Sequence, residues 1–203
     1  MEDANGVVMQ ATTPPPRSRG RYVIDARRSR FTVQALATGL LSAMGHNPTI
    51  GIRNFSGEVE FDAETLDADG LCLTIQSASL EVQDDVSDKD RREMEKLMKA
   101  DVLEISKYPQ ITYESSEIAV TKLGSSLYSA NISGNLGFHG VTRHQPVTVR
   151  ITDLGETLRA SADFTLKQSD YRIKPVSVAA GALKLKDELK FSFEMIVRRQ
   201  EPA

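Results

Sequence analysis

Tryptophan is absent from this chain of 203 residues, cysteine occurs once and histidine occurs three times. The single cysteine, Cys72, excludes an intrachain disulfide, so the fold must be stable through packing alone. Apolar runs are too short to cross a bilayer as a helix. The net charge of −3 gives no overall attraction to nucleic acid or to anionic membranes. These absences favour an ordinary globular domain that does not bind nucleic acid.

Catalytic and cofactor motifs are also missing. The sequence contains no GxSxG, no phosphate-binding loop, no dinucleotide-binding glycine motif and no catalytic cysteine signature. His46, His139 and His144 lack the close spacing of a zinc site. We therefore predict no catalytic residues, no metal and no cofactor, and we expect His46 and His139 in turns, with His139 at the surface. One alternative stays open: an enzyme for an apolar substrate that uses His46 or His139 as acid and base.

The length suggests one domain, which we place at residues 21–200 after a flexible tail of residues 1–20 that contains three consecutive prolines. The N-terminus lacks the pattern of a secretory signal, which predicts a cytoplasmic protein, or a periplasmic one if the N-terminus was trimmed. A basic cluster follows the prolines. We interpret this cluster first as a solvated segment that leads into the first strand, and alternatively as a patch that binds phosphate or a membrane surface. The cluster comprises Arg17, Arg19, Arg21, Arg27, Arg28 and Arg30.

Residues 128–152 contain the clearest local pattern. Apolar or small residues alternate with polar ones up to Phe138, and the alternation resumes from Val147 after a short segment that contains Gly140. Because successive strand side chains point to opposite faces, this pattern predicts an antiparallel hairpin with one dry face.

The same period of two recurs through most of the chain and predicts about eight strands. The parity of the apolar positions switches near Asn54 and again between Tyr113 and Ile118, as a bulge or bend would cause. One segment has helical spacing instead: residues 87–103, where Ser87 resembles an N-cap and Met94, Leu97 and Met98 form an apolar stripe. We interpret that stripe first as simple packing.

Absence of βαβ alternation argues against a parallel sheet. The predicted fold is therefore mainly all-β: an eight-stranded antiparallel barrel with one helix at about 87–103. Eight strands can enclose either packed side chains or one small ligand. A solid interior, with the helix or the arginines binding a partner, is the structural alternative to a hollow one.

Four segments together resemble the YceI-like family over roughly residues 21–199: YVIDARRSRFTV (22–33), FSGEVEFD (55–62), KYPQITYES (107–115) and GNLGFHGVTRHQPVTV (134–149). The resemblance implies a lipocalin-like antiparallel barrel whose long apolar tube holds a polyisoprenoid chain, such as the tail of an isoprenoid quinone. It thus implies a non-enzymatic binding or carrier protein for a long-chain isoprenoid lipid. Transient membrane contact and a homodimer are further expectations.

Three departures from the family pattern concern the contacts with a ligand's head group. The family's His-Ser pair is Arg28-Ser29 here, a longer helical insert replaces the usual region before the KYP block, and residues 45–47 read Gly-His-Asn. The barrel therefore carries over better than any head-group contact. Binding of a long apolar chain does not require the precisely placed polar groups of a catalytic site, because each buried CH₂ contributes about 0.8 kcal/mol.

The predicted ligand-binding residues are the members of the dry faces that would surround a cavity. Small ones such as Ala35, Ala37, Gly134, Ala160 and Ala162 would leave room between large ones. The predicted site comprises Phe31, Val33, Ala35, Leu73, Ile75, Ile132, Leu136, Phe138, Val147, Val149, Ala160, Ala162, Phe164, Phe191 and Phe193.

Overall fold

The computed structural model describes residues 20–38, 47–178 and 183–200. Within these ranges the chain forms thirteen strands, one α-helix and short 3₁₀ and π-helical turns. The strands are β1 Gly20–Ile24, β2 Arg30–Thr38, β3 Thr49–Ile52, β4 Phe55–Phe61, β5 Ala68–Gln76, β6 Leu80–Val82, β7 Gln110–Lys122, β8 Leu127–Phe138, β9 Val141–His144, β10 Val147–Asp153, β11 Thr157–Lys167, β12 Ser177–Val178 and β13 Leu183–Arg199. Residues 1–19 of the predicted tail and His46 lie outside the described residues, whereas Gly20, the last residue assigned to the tail, begins β1.

Eight antiparallel strands close into a barrel in the order β1-β4-β5-β7-β8-β10-β11-β13, and β13 returns to β1 through pairs such as Tyr22 with Arg199. The predicted eight-stranded barrel is therefore confirmed. Closure removes the unpaired edges that an open sheet would expose. At one end the wall continues through β2, β3 and β6, while β9 extends the pairing of β8 and β12 pairs with β13.

The first three barrel strands bend because short irregular segments interrupt them. A 3₁₀ turn, Ala26–Arg28, separates β1 from β2; residues 53–54 separate β3 from β4; and a 3₁₀ turn, Ser77–Ser79, separates β5 from β6. A register shift between Ser115 and Glu117 marks a bulge in β7. The interruption at residues 53–54 and the bulge in β7 lie at the two places, near Asn54 and before Ile118, where the parity of the apolar residues predicted a bulge or bend.

Ser29 is the residue of the family's His-Ser pair that this chain has in common, and it makes structural hydrogen bonds at the first of these interruptions. Its Oγ donates to the carbonyl of Asp25 at 2.7 Å and accepts from the N–H of Ile196 at 2.9 Å. The hydroxyl thus supplies hydrogen bonds where the pairing of β13 passes from β1 to β2, in keeping with the rule that buried backbone groups find partners. Arg27 and Arg28 on the same turn are exposed.

Helix α1, Asp88–Leu97, continues into a π-helical turn, Met98–Val102. The predicted N-cap is present, since Ser87 Oγ accepts from the N–H of Asp90 at 3.1 Å. This helix confirms the prediction for 87–103. Among the described residues no helix has the length and apolar character of a transmembrane span.

Side chains of α1 attach the helix to the free edge of β6. Glu95 Oε1 accepts from the N–H of Val82 at 3.0 Å, and the Arg91 guanidinium donates to the carbonyls of Val82 and Asp84. In the described structure β6 pairs with β3 on one edge only. The helix therefore takes the place of a strand on the other edge of β6.

Candidate functional site

An apolar cavity of about 550 Å³ occupies the barrel interior. Its wall is drawn from the inward face of every barrel strand, as the period-two pattern requires. Several large inward side chains, Phe164, Phe191 and Phe193 among them, remain only half-buried although they point away from solvent. Their residual accessible surface faces the cavity, so the interior is hollow and the solid-core alternative is wrong.

The two ends of the cavity differ. One end is closed by a buried cluster that includes Tyr22, Phe61, Leu158 and Val197, with Tyr128 packed edge-on against Phe61 at a ring separation of 5.9 Å. At the other end lie the two exposed lining residues, Leu97 on α1 and Lys184 on β13. Within the described residues the cavity is therefore accessible from the α1 end, which we call the mouth.

Fourteen of the fifteen predicted site residues line this cavity. The exception is Ala162, which is 8% exposed and belongs to a buried cluster with Tyr113 and Val149. The lining set is Phe31, Val33, Ala35, Leu73, Ile75, Ile132, Leu136, Phe138, Val147, Val149, Ala160, Phe164, Phe191 and Phe193. Their position in the cavity is thus established, while their contact with a ligand stays a prediction.

Small residues on the dry faces serve two different purposes. Ala35 and Ala160 line the cavity and widen it. A Cβ at Gly134, by contrast, would lie 2.6 Å from the ring and hydroxyl of Tyr113. Gly134 therefore accommodates the Tyr113 side chain rather than a ligand, and the prediction that it leaves room in the cavity is wrong.

The apolar stripe of α1 faces the cavity. Met94 and Leu97 of the helix, and Met98 and Val102 of the π-helical turn, all line it. None of the residues of these two segments is buried. Met98 packs against the hydrophobic core, in keeping with the interpretation of the stripe as packing, and the stripe also forms part of the mouth. Unbranched Met side chains suit such an adaptable apolar surface.

Polar side chains are few along the described lining. Tyr113 is the largest of them, and its hydroxyl donates to the carbonyl of Gln145 at 3.0 Å. Burial raises the pKa of Tyr113 to about 12, because the phenolate would lose hydration in this apolar interior. The others are Glu58, Asp84, Gln145, Gln168 and Lys184.

Gln168 was not predicted by the sequence analysis. It continues the inward parity of Ala160, Ala162, Phe164 and Leu166 beyond the end of β11, and it is only 4% exposed. A polar residue in inward register was the signal that could have identified it.

His139 is buried rather than at the surface, so the parity-based prediction is wrong. It is 8% exposed, and its Nδ1 lies 3.1 Å from the carbonyl of Tyr171. The backbone at His139 has φ +50°, which ends the strand alternation and turns the side chain back against the Tyr108 ring at 4.5 Å. The prediction that it sits in a turn is correct.

Catalysis by a histidine would require an imidazole that faces the cavity beside a carboxylate. His139 Nε2 lies 2.9 Å from Glu104 Oε2, outside hydrogen-bond alignment, but His139 is not part of the cavity wall. His144 on β9 is exposed, and His46 lies outside the described residues. In the described parts of the chain, no group of three His, Cys, Asp or Glu side chains could hold a metal.

The family model for the YceI-like domain matches residues 22–197. This chain belongs to the YceI-like family. The match runs from Tyr22 in β1 to Val197 in β13, two residues short of each end of the barrel, and it includes the segments that carry the resemblance.

Curated relatives and solved structures support the same assignment. A UPF0312 protein of Pseudomonas aeruginosa (strain LESB58) is 33% identical over 129 residues, which are 60% of this chain and 61% of the relative. A UPF0312 protein of Azotobacter vinelandii is 30% identical over 136 residues, or 66% and 62% of the two chains. This YceI-like chain spans between about half and about three fifths of the length of the curated relatives it matches.

Two solved structures share the fold. BcnA of Burkholderia cenocepacia superimposes with a TM-score of 0.65 at 20% identity, covering 85% of this chain and 98% of that one. A domain from Saccharophagus degradans, described as polyisoprenoid-binding, has a TM-score of 0.65 at 15% identity, covering 88% and 98%. At these identities the likeness establishes the barrel architecture of the YceI-like chain.

Proposed function

We propose that this YceI-like protein is a non-enzymatic carrier that holds one long-chain isoprenoid lipid, such as an isoprenoid quinone, inside its barrel. The observation that supports this proposal is the 550 Å³ apolar cavity, which opens beside α1 and is closed at the Tyr22 and Phe61 end. A cavity with one accessible end suits a linear molecule that enters tail first. Its volume falls within the usual range for small-molecule sites, about 300–1,000 Å³.

Energetics favour an apolar chain as the occupant. Each methylene-sized group that leaves water contributes about 0.8 kcal/mol, so a long alkenyl chain gains affinity without polar contacts. The scarcity of polar side chains along the described wall matches this mode of binding. The Saccharophagus degradans neighbour described as polyisoprenoid-binding supports the ligand class, and the family supports binding rather than catalysis.

A cavity-filling substitution tests the proposal. Ala160→Phe places a ring inside the cavity, because Ala160 lines the cavity. Its register partner on the adjacent strand β13 is Met195. We expect lipid affinity to fall about tenfold or more, since overpacking forces neighbouring side chains out of their preferred positions or displaces the ligand. The measurement is displacement of a fluorescent long-chain probe by geranylgeraniol.

The matched control is Ala119→Phe. Ala119 is exposed on the outer face of β7, beside Asn131, so the same ring is added outside the barrel. We expect its lipid affinity to equal that of the wild type. Equal affinity of the Ala160 and Ala119 variants, with both folded, would contradict the proposal.

Cytoplasmic location, transient membrane contact and homodimerisation stay predictions. The described barrel closes on itself without a second copy, so the proposed carrier function does not depend on dimer formation. Size-exclusion chromatography with light scattering measures the oligomeric state directly.

A further inference from the structure

Gln168 is a buried polar side chain in an otherwise apolar wall near the mouth. It follows the last residue of β11, is 4% exposed and lines the cavity. Its Nε2 donates one hydrogen bond, to the carbonyl of Lys186 at 2.9 Å. That bond bridges to the segment of β13 whose register shifts between Leu185 and Leu189, and it fixes the plane of the amide.

The amide of Gln168 keeps hydrogen-bonding capacity after this contact. A primary amide has two N–H donors and a carbonyl acceptor, and the bond to Lys186 uses one donor. Neither the second N–H nor Oε1 makes a hydrogen bond to any residue in the described ranges. Among the described side chains, His139 Nε2 is the fully buried polar atom without a hydrogen-bond partner, so the remaining capacity of the Gln168 amide is accessible rather than enclosed in packed protein. A ligand oxygen in the cavity would satisfy it.

Four other polar residues of the cavity wall already have a hydrogen-bond or ion-pair partner within the protein. The Tyr113 hydroxyl donates to Gln145, the Asp84 carboxylate accepts from the N–H of Thr49, and Glu58 pairs with Arg21 on the outside of the barrel. Gln145 is half-buried and donates to the carbonyl of Pro146. Gln168 is therefore the buried lining residue in the described structure with a donor and an acceptor left for a ligand.

The surroundings favour an uncharged ligand oxygen. Lys184 is exposed, so water surrounds its ammonium group, and Asp84 at the same end has the opposite charge. A phosphate or carboxylate beside Gln168 would lose hydration without gaining a buried cation from the described residues, which is strongly unfavourable in an apolar site.

We propose that Gln168 forms the head-group subsite of the cavity and binds the neutral hydroxyl or carbonyl oxygen of a long-chain lipid. The lipid tail then extends from the mouth towards Phe61 at the closed end. This inference rests on the proposed carrier function, and it adds that the head group is uncharged and lies near the mouth.

Binding of three ligands with similar chains tests the inference on the full-length protein. The ligands are geranylgeraniol, its phosphate ester and the matching hydrocarbon, each used to displace a fluorescent long-chain probe. One added hydrogen bond predicts that the alcohol binds about three- to tenfold more tightly than the hydrocarbon. The phosphate is expected to bind more weakly than the alcohol.

Gln168→Met keeps the length of the side chain and removes both donor and acceptor. We expect it to lower affinity for the alcohol to the level of the hydrocarbon and to leave affinity for the hydrocarbon unchanged. Gln110→Met is the matched control, since Gln110 is exposed on β7 and is not part of the cavity wall, and it should keep the wild-type preference for the alcohol. Because Gln168→Met also removes the partner of the Lys186 carbonyl, circular dichroism must first show that the variant is folded.

A second measurement does not depend on any variant. Geranylgeraniol with a photoreactive group beside the hydroxyl should crosslink within residues 166–176 of the wild type, whereas a group at the tail should crosslink near Phe61. Equal affinity for alcohol and hydrocarbon, tighter binding of the phosphate, or head-group crosslinks at Phe61 would each overturn the subsite while leaving the carrier function intact. Failure of all three ligands to bind would overturn the carrier function itself.

Discussion

Tyr113 connects the apolar interior to the stability of the barrel through its pKa. Burial raises that pKa to about 12 from an ordinary value of 10. Below about pH 10 the phenol is neutral in both the folded and the unfolded chain. Between pH 10 and 12 the unfolded chain loses the proton first, so the free energy of unfolding falls as the pH rises.

Tyr113→Phe should reduce this dependence on pH. We expect the free energy of unfolding of the variant, measured in urea, to fall less steeply between pH 10 and 12 than that of the wild type. Some slope should remain, because burial also raises the pKa of Tyr171. Identical slopes for the two proteins would show that Tyr113 titrates as it does in water.

At single residues, position relative to the strand pattern decides what the sequence could predict. Phe31 and Phe193 follow a strict alternation, and the structure places them in the cavity wall with rings 5.7 Å apart. His139 departs from the pattern because its positive φ reverses the direction of its side chain. That backbone conformation is decided by tertiary contacts with Tyr108 and Tyr171, which the local sequence does not reveal.

Helix α1 is the element whose attachment matters most for the mouth. Arg91 donates to the carbonyls of Val82 and Asp84, so Arg91→Ala leaves those carbonyls and the β6 edge without this partner. We expect a loss of about 1–2 kcal/mol in the free energy of unfolding, since hydrogen bonds from charged groups contribute about 1.5–3 kcal/mol. Urea denaturation measures this loss.

Arg92→Ala is the matched control. Arg92 lies one residue further along α1 and is exposed, so its removal should change the free energy of unfolding by no more than about 0.5 kcal/mol. If both variants lost the same stability, the change would reflect helix propensity or charge, and the proposed attachment to β6 would be wrong.

Among the elements, long alternating segments could be predicted and short ones could not. The bulge in β7 and the break at residues 53–54 were visible because each changes the parity of apolar residues on either side. Strand β12, Ser177–Val178, has two residues. Two residues are too few for a period-two pattern to be recognised.

For the whole molecule, the number of amphipathic strands predicted the fold class. It did not predict whether the interior of the barrel is hollow. Alternation predicts which side chains face inward but not how much space they leave, because that depends on barrel diameter and bending. Gly134 shows the limit: it is small and inward, yet Tyr113 occupies the space beside it. The cavity could be anticipated from the family resemblance, and its volume and open end required the three-dimensional structure.

The most direct test of the carrier proposal is the mass of the protein as purified. Native mass spectrometry of protein expressed without added lipid, compared with its denatured mass, reveals any bound molecule, and organic extraction identifies it. We predict a mass increase that disappears on denaturation, an extract that contains an uncharged long-chain isoprenoid, and loss of this species in Ala160→Phe but not in Ala119→Phe. A protein that is empty as purified and takes up no long-chain isoprenoid in excess would contradict the carrier proposal.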